Sequence, residues 1–194
     1  DEIQCGVART GKPFAFQHAG IVPDVLVLSK AIGGSQPMAV VVYHQKLDVW
    51  KPGSHAGTFR GNQLAMVAGA TTLRIVREQQ LDQHAAAMGE RLSGHLRALQ
   101  KDFPQMGDVR GMGLMLGVEM VDPEGRPDML GRFPHSGELA SRIQRQCLQR
   151  GLIIEVGGRH SSVIRFLPPL IVTAAQIDQI GEIFRAALSA AIHT

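Results

Sequence analysis

Residues 25–37, VLVLSKAIGGSQP, place a lysine directly after a short apolar run and shortly before a pair of glycines. Near-continuous runs of valine and leucine are typical of strands that are covered on both faces, as in α/β sheets. A second run of this kind, PMAVVVYH, occupies residues 37–44. The pattern therefore predicts two buried strands, with Lys30 at the point where the first strand reaches the surface.

Lys30 differs from the other four lysines of the chain, which lie in polar or proline-flanked segments. A lysine at a strand end commonly extends its aliphatic stem over apolar surface and keeps its ammonium group in water. The alternative is a Schiff-base lysine, whose amine is partly desolvated so that its neutral, nucleophilic form is accessible. Ligands bind at the carboxyl ends of strands in α/β sheets, and the glycines let the backbone approach a cofactor closely.

Helix and strand patterns alternate along the rest of the chain. A long helix is predicted from residue 61 or 62, with a break at REQQLDQ and an end before Phe103. Five further elements are predicted: a strand within residues 107–121, a helix from Ser136 to about Arg150, short strands in GLIIEVGG and SVIRFLPPL, and a final helix capped by Thr173. This order predicts an α/β body over residues 1–103 and a small α+β domain over residues 104–194.

Composition argues against several classes of protein. The 194 residues carry a net charge of +3, and no basic run resembles a nucleic-acid-binding stripe. No apolar stretch approaches the roughly 18 residues that span a bilayer. Cys5 and Cys147 lie in no CxxC or Cys/His pattern, which indicates a reducing compartment without a disulfide framework. We expect no nucleic-acid partner, no membrane segment and no metal site. Because the chain opens at Asp1 without a lead-in, we also expect it to be the C-terminal portion of a longer protein.

Three further segments could complete a site around Lys30. DEIQ, residues 1–4, places Asp1 and Gln4 at a predicted strand end, where a carboxylate could face the ring nitrogen of a cofactor. SHAGTFRGNQLA, residues 54–65, places Thr58 before a helix start, a setting that suits phosphate. Arg165 lies within the apolar segment VIRFLPPL, where a guanidinium could bind a carboxylate through two hydrogen bonds. Each has a simpler interpretation: acids on a loop, an ordinary helix cap and a structural ion pair.

The segments DEIQCGVARTG, LSKAIGGSQP, GTFRGNQLA and RFLPPL, in this order and spacing, resemble the second half of a class III, or ω-amino, aminotransferase. The resemblance covers essentially the whole chain. It implies the α/β fold type I of enzymes that depend on pyridoxal 5'-phosphate (PLP), with the second part of the large domain followed by the small C-terminal α+β domain. It also implies a cytoplasmic homodimer or larger assembly that acts on an amino acid and a 2-oxo acid.

The resemblance further implies a role for each candidate residue. Lys30 would bond covalently to PLP and move the proton between the substrate Cα and C4′ of the cofactor. Asp1 would pair with the pyridine nitrogen, and Gln4 would lie near the 3′-oxygen. Thr58 would bind phosphate across a dimer interface, in the partner's site. Arg165 would hold a carboxylate of 2-oxoglutarate or of the amino acid.

A finer resemblance concerns the substrate. SKAIGGSQPMAVVVY, LDVWKPGSHAGTFRGNQLAM and EVGGRHSSVIRFLPPLI resemble diaminobutyrate–2-oxoglutarate aminotransferases, particularly those of siderophore pathways, and Arg60 and Gln63 stand where many relatives have GTFGGNP. The implied reaction converts L-2,4-diaminobutyrate and 2-oxoglutarate into aspartate 4-semialdehyde and glutamate. The alternatives are an ornithine- or GABA-type aminotransferase, an aminomutase or racemase, and a non-catalytic α/β binding module. Because the family's phosphate loop and ring-stacking aromatic residue precede this segment, we expect the chain to be inactive by itself and to expose apolar surface.

Overall fold

A computed structural model describes residues 1–193 of the chain. These residues divide into two compact units, the first from Asp1 to Ala85 and the second from Ala86 onward. Helix α2, Leu81–Asp102, begins in the first unit and continues into the second. The domain boundary predicted between residues 103 and 104 falls just after this helix and stays a prediction.

The first unit contains the two strands predicted from the valine and leucine runs. Strand β1, Val25–Leu28, pairs in antiparallel fashion with β2, Val40–Tyr43, so that Leu28 lies opposite Val40. Leu28 is buried in a small core with Val7 and Ile32. The lysine that follows β1 is thus attached to the best-buried end of the strand.

The expectation that both strands are covered on both faces is wrong for this chain. Val41 and Val42 of β2 are 54% and 53% exposed, and Val25 at the start of β1 is 43% exposed. A two-stranded ribbon has too few neighbours in the first unit to cover both of its faces. The exposed apolar surface that the sequence predicts is therefore observed.

Helix α1, Gln63–Glu78, begins where the sequence predicts it. The Asn62 side-chain oxygen accepts hydrogen bonds from the backbone N–H groups of Leu64 and Ala65, at 3.0 and 3.3 Å. This cap satisfies two of the N–H groups that lack a partner within the helix. The predicted break is also confirmed, because α1 ends at Glu78 and α2 begins after Gln80, whose φ of 50° is left-handed.

The second unit contains an antiparallel sheet of four strands in the order β3-β4-β6-β5. Its further elements are β3 (Met106–Met112), β4 (Met115–Met120), α3 (Gly137–Gln149), β5 (Glu155–Gly157), β6 (Val163–Phe166) and α4 (Ala174–Ile192). The single strand predicted within residues 107–121 is instead a hairpin. Gly113, with a φ of 53°, allows the tight turn that reverses the chain between β3 and β4.

Helices α3 and α4 follow their predicted caps. Ser136 precedes α3, although its side chain makes no capping hydrogen bond. Thr173 caps α4 by accepting from the Gln176 backbone N–H at 3.3 Å, and the Gln176 side chain accepts from the Thr173 N–H at 2.9 Å. The rings of Phe166 on β6 and Phe184 on α4 pack edge to face, with their centroids 5.0 Å apart. This contact packs the sheet against helix α4.

Candidate active site

Lys30 begins a short 3₁₀ helix, Lys30–Gly33, immediately after β1 and Ser29. Its φ of 52° is in the left-handed region, which is unfavourable for a residue with a Cβ atom. The Ser29 hydroxyl donates a hydrogen bond to the Met38 carbonyl at 3.0 Å, closing the loop behind the lysine. The surrounding contacts therefore hold Lys30 in a conformation that it would rarely adopt by itself.

Close packing against α1 fixes the turn that carries Lys30. A Cβ atom at Gly69 of α1 would lie 2.5 Å from the Ile32 carbonyl oxygen and 2.6 Å from the Met38 Cε. A Cβ atom at Gly34, whose φ is 62°, would lie 2.7 Å from the Thr72 hydroxyl oxygen. The lysine turn can approach the helix this closely because both positions are glycine.

Lys30 and Thr58 line the same cleft, which has a volume of about 900 Å³. The structure thus brings together two residues that are 28 positions apart in the sequence. The lining also contains Arg60, and its other polar side chains are serine, glutamine and asparagine. Since no aspartate or glutamate lines the cleft among the described residues, the cleft is suited to an anionic ligand.

Asp1 and Gln4 lie beside β1 but do not line this cleft. The Glu2 backbone N–H donates to the Val27 carbonyl of β1 at 2.9 Å, which attaches the start of the chain to the strand that leads to Lys30. The Asp1 carboxylate accepts a hydrogen bond from the Ile3 N–H at 2.8 Å. The strand end predicted here is not observed, because residues 3–10 form turns.

Glu2 is a buried structural residue that the sequence interpretation did not single out. It is 5% exposed, and its carboxylate accepts from the N–H groups of Ala15 and Phe16 at 3.0 and 2.8 Å. Burial and the neighbouring Glu2 carboxylate raise the pKa of the Cys5 thiol, which contacts Glu2 at 3.2 Å. No local pattern identifies Glu2, since its backbone partners lie 13 and 14 residues away.

Arg165 belongs to the second unit, where it lies opposite Glu155 in the β5–β6 pair. Its Nη1 atom is 3.2 Å from the Glu155 Oε2 atom, and its side chain is 29% exposed. This contact agrees with the simpler interpretation of Arg165 as one half of an ion pair. A substrate carboxylate that binds Arg165 would have to displace or share the Glu155 carboxylate.

Within residues 1–193, no group of three or more histidine, cysteine, aspartate or glutamate residues is arranged to hold a metal ion. None of the helices there has the length and apolar character needed to cross a membrane.

Similarity to known proteins identifies the class to which the chain belongs. Residues 1–188 match the family Aminotransferase class-III, and the chain belongs to this family. Over 187 residues it is 57% identical to the diaminobutyrate--2-oxoglutarate aminotransferase of Rhizobium meliloti (strain 1021), covering 96% of this chain and 40% of that protein. It is 44% identical to the Haemophilus influenzae aminotransferase of the same name, with 95% of this chain and 41% of that protein covered.

The fold is also similar to solved structures of aminotransferases. The ornithine delta-aminotransferase of Plasmodium falciparum matches 98% of this chain and 46% of its own length, with a TM-score of 0.84 and 29% sequence identity. The prediction of part of a fold type I aminotransferase is therefore confirmed, and PLP is the cofactor of this family. The chain spans about two fifths of the length of the curated relatives that it matches.

The residues present fit PLP in charge and chemistry. PLP carries an aldehyde that reacts with a lysine amine and a phosphate that needs hydrogen-bond donors. The cleft offers the Lys30 amine, polar serine and asparagine side chains and no described carboxylate that would repel the phosphate. Asp1, which could pair with a protonated ring nitrogen, is anchored through Glu2 to the strand that precedes Lys30.

Proposed function

We propose that the full-length enzyme, meaning the protein that contains this chain and the remaining length of its relatives, is an aminotransferase. It transfers the 4-amino group of L-2,4-diaminobutyrate to 2-oxoglutarate and yields aspartate 4-semialdehyde and glutamate. The observation that supports amino transfer is the placement of Lys30 directly after β1, in a cleft without a described carboxylate. The choice of diaminobutyrate is supported by the 57% identity to the Rhizobium meliloti protein.

Each candidate residue of the chain has a separate role in the proposed reaction. When bound, PLP would supply an electron sink that stabilises negative charge at the substrate carbon. Lys30 would hold the cofactor covalently and, once released, take a proton from the carbon that bears the reacting amino group, C4 of diaminobutyrate, and return it at C4′. Asp1 would keep the ring nitrogen protonated, and Gln4 would contact the 3′-oxygen.

Thr58 and Arg165 would bind the two anionic groups, the cofactor phosphate and a substrate carboxylate. Thr58 would donate its hydroxyl hydrogen to the phosphate, and in a homodimer it would do so in the partner's site. Arg165 would exchange its Glu155 partner for a substrate carboxylate. We further propose a cytoplasmic enzyme of siderophore biosynthesis, and a chain that is inactive by itself because part of the cofactor site lies outside it.

A substrate assay of the full-length enzyme tests this function. With diaminobutyrate and 2-oxoglutarate, we expect one glutamate formed per 2-oxoglutarate consumed. The kcat/KM for diaminobutyrate should exceed that for ornithine by at least about tenfold, because one methylene is worth roughly 10–200-fold in selectivity. A preference for ornithine would favour the second candidate, an ornithine-type aminotransferase, which the similarity to the Plasmodium falciparum structure supports. Product formed without consumption of 2-oxoglutarate would instead identify an aminomutase.

Gly69→Ala in the full-length enzyme should lower kcat by about tenfold to a hundredfold, because small displacements of a catalytic group have effects of this size. The added methyl group would press on the Ile32 carbonyl and shift the turn that carries Lys30. Stopped-flow kinetics and the absorbance of the enzyme-bound cofactor report this displacement.

Gly94→Ala is the matched control for this substitution. Gly94 lies within helix α2, and a Cβ atom there would meet nothing within 4 Å. We expect this variant to keep kcat and to gain roughly 0.5–1 kcal/mol of stability from the better helix propensity of alanine. Equal kinetics for the two variants would show that Gly69 does not position the lysine.

A further inference from the structure

A second cleft, with a volume of about 830 Å³, is formed entirely by residues of the second unit. This volume lies within the range of small-molecule sites, roughly 300–1,000 Å³. Three carboxylates, three arginines and two histidines line the cleft. None of these eight side chains has a role in the proposed function, so the balance of their charges needs a separate explanation.

Each carboxylate of this lining already has a cationic partner. Asp108 and Glu119 both accept hydrogen bonds from the Arg110 Nη1 atom, at 2.8 and 2.6 Å. The Asp128 carboxylate accepts a hydrogen bond from the Arg132 Nε atom at 2.9 Å. The three acids are therefore compensated by arginines of their own unit.

Arg126 and Arg159 are the two arginines of the lining that these pairs leave over. Both residues are exposed, and within residues 1–193 neither guanidinium group makes an ion pair or a hydrogen bond. Uncompensated charge of one sign in a cleft attracts ligands of the opposite sign. A guanidinium group binds two oxygens of a phosphate or a carboxylate at once.

The loop that carries Arg159 is held in a strained conformation beside the cleft. His160 and Ser161 have φ values of 56° and 52°, in the left-handed region that is unfavourable for residues with a Cβ atom. The fully buried Ser162 hydroxyl donates a hydrogen bond to the Arg159 carbonyl at 2.9 Å. A Cβ atom at Gly137 would overlap the His160 carbonyl oxygen, so the start of α3 packs tightly against this loop. Strained backbone that is fixed in this way is concentrated at binding sites.

We infer that this cleft binds a small dianion, either a phosphate ester or a dicarboxylate, through Arg126 and Arg159. His160, whose ring lies against that of His135 with the centroids 5.1 Å apart, adds an imidazole at the same cleft. The site goes beyond the proposed function and does not depend on it, because all of its residues belong to the second unit.

Isothermal titration calorimetry of the full-length enzyme, loaded with PLP so that the phosphate site of the cofactor is filled, tests this inference. The probes are inorganic pyrophosphate and malonate, which represent the phosphate and the dicarboxylate. We expect at least one probe to bind with one site per chain at about 0.15 M salt, where weak attraction between exposed charges is screened. Arg126→Ala and Arg159→Ala should each weaken this binding by about tenfold to a hundredfold, the range of one charge-assisted contact.

Arg145→Ala is the matched control, because Arg145 is an exposed arginine of α3 that does not line the cleft. It should leave the affinity unchanged, and an equal loss in this variant would overturn the inference by showing unspecific attraction. Absence of binding for both probes, or an unchanged affinity in Arg126→Ala or Arg159→Ala, would also overturn it. Binding that is lost in Arg165→Ala and kept in the two cleft variants would place the probe in the substrate site and contradict the inference.

Discussion

Lys30→Ala in the full-length enzyme should reduce turnover by about a thousandfold or more and remove the visible absorbance of covalently bound PLP. The substitution removes both the nucleophile and the general base, and a positioned base by itself contributes roughly 10²–10⁴-fold. Loss of the amine at the end of β1 leaves the rest of the cleft lining in place, so the cofactor should still bind without a covalent bond. Absorbance spectra and the rate of glutamate formation measure the two effects.

Lys101→Ala provides the control for removal of a lysine, because Lys101 is exposed near the end of α2. It should leave both the spectrum and the rate unchanged. Borohydride reduction followed by mass spectrometry should place a phosphopyridoxyl group on Lys30 in the unmodified enzyme. An adduct on another lysine, or full activity in Lys30→Ala, would remove Lys30 from the chemistry.

Arg165→Ala should raise the KM for 2-oxoglutarate by roughly 10–150-fold, since a hydrogen-bonded contact to a charged group contributes about 1.5–3 kcal/mol. The kcat should change less, because the contact between Arg165 and the carboxylate is made in both the ground state and the transition state. Initial rates over a range of 2-oxoglutarate concentrations separate the two constants.

Glu155→Gln separates substrate binding from the ion pair that Arg165 makes in the structure. If the Glu155 carboxylate competes with the substrate for the Arg165 guanidinium, its neutralisation should lower the KM for 2-oxoglutarate. If Arg165 serves the β5–β6 pair and nothing else, neither substitution should alter that KM. Unchanged KM values in both variants would therefore restrict Arg165 to a structural role.

Much of the fold could be predicted because its signals are local. The valine and leucine runs located β1 and β2, and Asn62 marked the start of α1 through its side-chain cap. Thr173 did the same for α4. The hairpin of β3 and β4 was missed because its turn consists of two residues, and the glycine-rich segment resembles a single irregular strand.

The candidate site was less accessible to sequence reasoning because its contacts are distant along the chain. Lys30 stood out through its position after an apolar run, and the structure adds that Thr58 lines the same cleft. The structural role of the Glu2 carboxylate could not be predicted, because it accepts hydrogen bonds from the backbone N–H groups of Ala15 and Phe16. Backbone groups occur at nearly every residue and leave no pattern in the sequence. The pairing of Arg165 with Glu155 depended on the register of two strands, which sequence patterns do not specify.

The left-handed backbone at Lys30 has a consequence for protein engineering. Glycine or asparagine would occupy this φ with less strain than lysine does. A design procedure that ranks residues by backbone strain would therefore favour replacement of Lys30, which would raise thermal stability and remove the reactive amine. At residue 30, a substitution that raises stability removes activity. Efforts to stabilise the enzyme should therefore leave Lys30 unchanged.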